Sequence, residues 1–258
     1  MYRLMPFTRR VLTAAAVVSS LAGAPAILAA QGACSAGEVT LRAGDPRLAG
    51  ISPLPLDSME MSMEREGANR SFGTYTQHVQ RASVNGAPAH LFVQRAATPR
   101  GTSLDSIWVD ARSWVSLRHV AATPGGGMNV TFQGGRVTGR VTEGDSARQV
   151  DAEVPAGSFD YSVGSAAVKG IPLCEGAVIR VAGYDPMRGP RETIYRILRA
   201  ERVEIGGAPR DVWTADVQVG DRTVRMHLDR ATGRELDWSI AGPNGATMRG
   251  TSRIFTTR

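Results

Sequence analysis

The sequence is poor in lysine, cysteine, histidine and aromatic residues, and each shortage narrows what the chain can be. Lys169 is the single lysine, so nearly all positive charge is guanidinium. The formal charge of +6 includes Arg3, Arg9 and Arg10, and without those three it falls to half that value. A surplus that small and that scattered builds no basic stripe, so no nucleic-acid partner is expected. The histidines are His78, His90, His119 and His227, none at ligand spacing from another or from a cysteine, so no metal site is expected. The chain also lacks a Gly-x-Ser-x-Gly elbow, a phosphate-cradling loop followed by Lys-Ser/Thr, and the alternating Asp/Asn ligands of a calcium loop. These absences make a non-enzymatic role without a cofactor the expectation.

No apolar run reaches the ~20 residues of a membrane-spanning helix. The run at 11–21 is shorter, follows the three arginines, and is broken by Gly23 and Pro25. That is the layout of a signal peptide, expected over 1–30, with cleavage after either Ala26 or Ala30 fitting the small-residue rule. Thr8-Arg9-Arg10-Val11-Leu12 also resembles a twin-arginine signal. Gln31 stands where a lipoprotein signal prefers an aliphatic residue, so a soluble mature chain is favoured over lipidation at Cys34. The protein is therefore expected outside the cytoplasm, periplasmic or secreted, with no transmembrane segment in the mature chain. Only Cys34 and Cys174 are present. In an oxidising compartment the pair reads as a disulfide closing a loop of about 140 residues. Two free thiols acting as small apolar residues are the alternative.

What is there, from residue 58 onward, is alternation broken every 8–12 residues by glycine-rich turns, the mark of an antiparallel sandwich or barrel. Met59, Met61 and Met63 alternate with Glu60, Ser62 and Glu64. Strands are expected at 72–84 and 88–96 around Asn85-Gly86, a dipeptide suited to the positive φ of a tight hairpin. With a two-residue turn there, His90 faces Arg81 and His78 faces Val93, so the two histidines point to opposite faces. Further strands are expected at 103–110, 116–122, 128–132, 137–141, 149–154, 194–205, 212–219, 223–228, 235–240 and 246–255. No exact internal repeat is present, and no linker divides 31–258, which reads as a single β-rich domain. Ser158 is expected to cap a short helix over 159–169, stopped by Gly170 and Pro172. Met59, Met61, Met63, Phe92, Trp108, Trp213 and Trp238 are the apolar side chains from which a ligand site would be built. His119 and His227 each stand alone in a strand pattern and read as partly exposed.

Several segments carry a resemblance. The runs Asn85-Gly86-Ala87-Pro88 to Gln94-Arg95 and Asp105-Ser106-Ile107-Trp108-Val109-Asp110-Ala111-Arg112 are two of them. Phe159-Asp160-Tyr161, Ile171-Pro172-Leu173 and Leu228-Asp229-Arg230-Ala231-Thr232-Gly233-Arg234 fit with them. Over roughly 70–240 the chain resembles exported bacterial proteins of unknown function, similar in layout to the LolA/LolB half-barrels, periplasmic carriers of lipoprotein acyl chains. The resemblance implies a curved antiparallel sheet with one short helix on its concave side. It implies, more loosely, an apolar or lipid-like ligand. An envelope protein as partner, without a small ligand, is the second reading, and a hydrolase of unrecognised type the third.

Overall fold

The structure is a computed structural model that describes residues 36–51, 59–65, 68–168, 171–242 and 245–252. The signal segment and Cys34 lie outside the described residues. The strands are β1 (Glu38–Leu41), β2 (Met59–Arg65), β3 (Ala68–Val84), β4 (Ala87–Thr98), β5 (Gly101–Asp110), β6 (Ser116–Thr123), β7 (Gly126–Gln133) and β8 (Arg136–Glu143). They continue with β9 (Ser146–Glu153), β10 (Phe159–Asp160), β11 (Val178–Asp185), β12 (Gly189–Ile205), β13 (Ala208–Val219), β14 (Arg222–Asp229), β15 (Glu235–Ala241) and β16 (Thr247–Ser252). Their order in a single sheet is β1-β11-β12-β13-β14-β15-β16-β2-β3-β4-β5-β6-β7-β8-β9, with β10 beside β11. The protein is mostly β, and the sheet is curved and unclosed, a half-barrel. All pairings along it are antiparallel except those of β1 and β10, which run parallel to β11.

The expected turn chemistry is present. Asn85 and Gly86 take φ of 51° and 82°, and the β3–β4 register puts Arg81 opposite His90 and His78 opposite Val93. The alternation pattern predicts neither β1 nor β11, and the structure has both. The inward row of β11 reads Ile179-Val181-Gly183, and the glycine is there because the Tyr161 ring packs against it: a Cβ would lie 3.2 Å from that ring. The expected helix is cut to α1 (Gly164–Val168). Phe159 and Asp160 pair instead with Gly183 and Tyr184, and the Asp160 carboxylate accepts from the Ser162 N–H at 2.9 Å. That side chain–backbone bond competes with a helical start, so the chain turns before it coils.

The fold repeats itself although the sequence does not. Strands β2–β6 and β11–β15 are two consecutive antiparallel meanders laid side by side, with β16 between them. Strands β3 and β12 both have 17 residues, and β4 and β13 both have 12. The turns after β5 and β14 are the same. Asp110 Oδ1 accepts from the Ser113 N–H and hydroxyl at 2.8 and 2.7 Å, and Asp229 Oδ1 does so from Thr232 at 2.8 and 2.7 Å. A bulge accompanies each turn, shifting the register between Trp108 and Val109 and between His227 and Leu228. Ser116 then faces Val109 as Glu235 faces Leu228. Tyr75 and Tyr195 occupy matching places on the long strands, opposite Ala96 and Val217.

The main core fills the concave side between the two meanders. Phe92, Ile107 and Val109 from the first and Ile179, Ile197 and Ala215 from the second close on Phe159, Val163 and α1. Full burial of each large apolar side chain contributes about 1.5–3 kcal/mol. A smaller cluster packs Met128, Val130, Val141 and Val150 against Tyr184 of β11, and Arg148 of β9 donates to the Met187 carbonyl at 3.3 Å. Among the described residues, side chains thus link β7–β9 with β11 and the turn after it, where no backbone ladder does. Among the described residues, no helix is long and apolar enough to cross a membrane.

Candidate functional site

The turn at 160–163, entering the concave side ahead of α1, is held by polar bonds to the first meander and leaves a cavity against the second. Asp160 is the anchor. Its N–H donates to Ser116 Oγ at 2.8 Å, and its Oδ2 lies 2.8 Å from His119 Nδ1. His119 Nε2 is 3.4 Å from Asp105 Oδ1 on the neighbouring strand. The Asp160 side chain is 1 % exposed and that of His119 is 5 % exposed. Burial works against the charged imidazolium, but the Asp160 charge and the bonds to Asp105 and Asp160 outweigh it and lift the pKa to about 9. Gln94 adds a second tie, donating from Nε2 to the Ser162 carbonyl and to Gln77 Oε1, both at 2.8 Å. Tyr75 donates to the same Gln77 oxygen at 3.3 Å.

On the other side of the turn lies a cavity of about 220 Å³. Its apolar wall is Val181, Val217, Val219, Val224 and Met226, and its polar rim is Tyr161, Ser165, Thr193, Tyr195 and Glu235. Glu235 is aimed inward by the β14–β15 bulge; strict alternation from Trp238, which pairs with Met226, would turn it outward. Burial, and then the Glu235 charge, push the hydroxyls of both Tyr75 and Tyr195 above the usual tyrosine value, with Asp105 adding to the first and Tyr161 to the second. Both rings therefore stay neutral and offer an O–H across the physiological range.

From Met226 the apolar surface continues across the sheet. Register places Trp238 beside Met226, Gly250 beside Trp238 and Met61 beside Gly250. The indole lies over Gly250, where a Cβ would be 2.2 Å from its Nε1, and the Met61 methyl lies over Gly73. A parallel row runs Val224, Ile240, Met248, Met63. These side chains are half-buried, so part of the concave face stays uncovered beside the cavity.

The apolar residues singled out from the sequence are thus dispersed. Met61, Met63 and Trp238 form the uncovered strip, and Met59 is buried at its margin opposite Tyr75 and Ser252. Phe92 is fully buried in the main core against Trp114, with ring centroids 6.0 Å apart. Trp108 alternates with the buried Ile107 and Val109, so it faces the convex side, where the Arg118 guanidinium lies 5.4 Å from its ring. Trp213 packs on the main core with Arg230 at 5.0 Å. Cys174 is half-buried against the same core.

His119 corrects the reading of a partly exposed strand residue, because its partner Asp160 comes from a distant turn. His227 is not alone either: its Nδ1 lies 2.6 Å from Asp237 Oδ1 on the convex side, beside a Thr214–Glu201 hydrogen bond. A second depression, of about 490 Å³, runs along Leu117, Phe132, Val154 and Pro155. It gathers no group of titratable side chains, and the Arg136 at its margin is bonded to Asp151. Among the described residues no three of His, Cys, Asp and Glu converge as metal ligands would.

An open β half-barrel with a small cavity under a pinned turn is the class this geometry defines. The chain belongs to the family described as "Protein of unknown function (DUF3108)", whose model matches residues 60–235. The match runs from β2 to the start of β15 and so covers the first meander and the second through β14. Among solved structures, the chain is similar to a DUF1329 family protein from Desulfovibrio piger ATCC 29098, at 9 % identity over 76 % of this chain and 83 % of that one. The TM-score is 0.26, too low for the likeness to carry any argument. No curated protein matches the chain.

Proposed function

We propose that this is an exported binding protein without catalytic activity, which holds an apolar or amphipathic ligand against the concave face of its half-barrel. One observation carries the reading: the cavity of about 220 Å³ continues through Met226 into the half-buried strip of Trp238 and Met61. Methionine-rich surfaces adapt to irregular apolar shapes, and concave, mostly apolar sites with a few convergent polar groups are the usual form of a ligand pocket. The resemblance of the sequence to the LolA/LolB half-barrels implies the same carrier role. The signal-like segment at 1–30 supports export.

The interaction-protein reading is weaker. Strand β9 is a sheet edge, but it carries Arg148, Asp151 and Glu153, and charge along an edge opposes the addition of another strand. The test of the carrier reading is native mass spectrometry of protein purified from its own envelope, beside a Val224→Trp variant that fills the cavity. A discrete apolar adduct on the parent protein, absent from the folded variant, is expected. An adduct-free mass for both, or an adduct that survives in the variant, overturns the reading.

A further inference from the structure

We propose that Met61, Met63 and Met248 form a binding site for one soft monovalent metal ion, Cu(I) or its chemical stand-in Ag(I), with the Trp238 indole beside it. The site lies in the uncovered strip and does not rest on the carrier reading. The chain has nine methionines, and Met59, Met61, Met63, Met226 and Met248 gather on the concave side of β2, β14 and β16. Apolar cover alone does not call for that choice. A buried methionine loses more rotamer freedom than a leucine, and β-branched residues suit a strand better. What methionine adds is a thioether sulfur, a soft ligand that selects Cu(I).

The register brings three of these sulfurs to one place. Met63 faces Met248 directly across β2 and β16, and Met61 lies diagonally from Met248. Such neighbours have Cβ atoms about 4.5–5.5 Å and about 7–8 Å apart, gaps that unbranched side chains with three rotatable bonds can close around one ion. The Met61 methyl rests over Gly73, so Met61 rotates toward Met248 to complete the set. All three side chains are half-buried, which leaves an ion a way in. Gly250 follows Met248 by two residues and faces Met61, and the Trp238 ring lies over it. The indole therefore stands beside the thioethers, where its π system attracts a cation within about 6 Å of the ring. The neighbouring side chains along the strip are Val224, Met226 and Ile240, and none of them supplies an oxygen, an imidazole or a thiolate. A hard or borderline ion such as Mg(II) or Zn(II) finds no ligands of its kind there, whereas singly charged Cu(I) is matched by neutral sulfurs. Histidine and cysteine spacing predicts no metal site in this chain, but thioethers are a different kind of ligand. They give up no proton on binding, so affinity should hold at mildly acid pH, where imidazole and thiolate sites weaken.

The experiment titrates the folded protein with Ag(I) in chloride-free buffer, read by native mass spectrometry and by quenching of tryptophan emission. One Ag(I) per chain is expected both near neutral pH and at about pH 5, with no matching adduct from Zn(II). Cu(I), kept reduced with ascorbate, should displace it. Met63→Leu/Met248→Leu nearly preserves side-chain volume, and its melting curve checks the fold. It should bind Ag(I) at least about tenfold more weakly, a difference of about 1.4 kcal/mol. Met63→Leu alone makes the same comparison with a smaller perturbation, and at least about threefold weakening is expected. Met187→Leu removes an exposed thioether elsewhere and should bind as the parent does. The site is overturned if the folded parent gives no one-to-one Ag(I) adduct, or loses it at about pH 5 while still folded. Undiminished binding in the folded methionine variants, an equal loss in Met187→Leu, or Ag(I) that Cu(I) fails to displace overturns it as well.

Discussion

Trp114 stands in the first meander where Gly233 stands in the second. Trp114 N–H donates to the Asp110 carbonyl at 2.9 Å and Gly233 N–H to that of Asp229 at 2.8 Å, and the two residues have φ of 61° and 66°. A left-handed conformation is ordinary for glycine and strained for a tryptophan. The strain is offset by packing, since Trp114 is fully buried between Phe92 and His90. Trp114→Ala is expected to destabilise by about 3–5 kcal/mol through the lost ring. Trp114→Gly loses the same ring but relaxes the backbone, so it should be the more stable of the two by about 1 kcal/mol. Urea unfolding of both variants measures this, and the usual order, alanine above glycine, would refute the strain assignment.

The ion pair of His119 with Asp160 fastens the turn that roofs the cavity. His119→Asn is expected to cost about 3–5 kcal/mol, because a buried carboxylate loses its cation. Adding Asp160→Asn to it should cost much less than the sum of the two single changes, since the residues act as a unit. Additive losses in a denaturant double-mutant cycle would show that the pair is not coupled.

The same histidine gives stability a pH signature. Its folded pKa of about 9 lies above the 6.5 of the unfolded ring, so its stabilisation is complete below about pH 6.5 and is lost as pH rises through about 9. The pKa difference corresponds to on the order of 3 kcal/mol. Parent protein should lose stability across that interval in chemical unfolding, and His119→Asn should stay nearly flat. A parallel decline in both would assign the effect elsewhere.

The parts legible in the sequence are those set by local chemistry. Asn85-Gly86 dictates its turn and hence the register of the hairpin, and alternation finds most strands because one face of each meets the core. The parts that were not legible depend on distant neighbours. His119 looks the same as any strand residue until Asp160 arrives from 41 positions away. Glu235 would be placed outside by alternation, and only a bulge, which no single residue announces, turns it inward. The helix expected from Phe159 gives way because pairing with β11 and the Asp160 side chain claim its first residues. The doubled meander is hidden in the sequence for a related reason: its matching positions are filled by unlike residues, Ser116 for Glu235 and Trp114 for Gly233.

Gly250 makes the apolar strip by what it lacks. A Cβ there would meet Trp238 at 2.2 Å from Nε1 and 2.4 Å from Cε2, and the rigid ring must move to admit it. Gly250→Ala is expected to cost about 1–3 kcal/mol as overpacking and to shift the tryptophan emission. If the carrier reading holds, it also weakens binding of the apolar ligand, because the displaced indole obstructs the strip. An unchanged emission spectrum and melting curve would contradict this packing.

Cys34 and Cys174 should form a disulfide, and the pairing of the strands that follow them says why. Strand β1 runs parallel to β11 with Glu38 opposite Val178, and the same offset in number separates the two cysteines. The contact persists ahead of the strands: the Gly37 carbonyl accepts from the Val178 N–H at 3.0 Å, and a Cβ on Gly176 would lie 3.9 Å from that of Ala36. A bridge at that end would tie the short edge strand β1, which places Leu41 in the main core, to the strand beside it. In the chain-entropy account, closing so long a loop is worth about 4–5 kcal/mol as an upper guide. Intact mass under non-reducing conditions should be two hydrogens below the reduced value. Cys174→Ser should lower stability by about 2–5 kcal/mol, with no further loss on adding reductant. A parent mass that does not change on reduction would eliminate the bridge and leave Cys174 as a small apolar residue on the core.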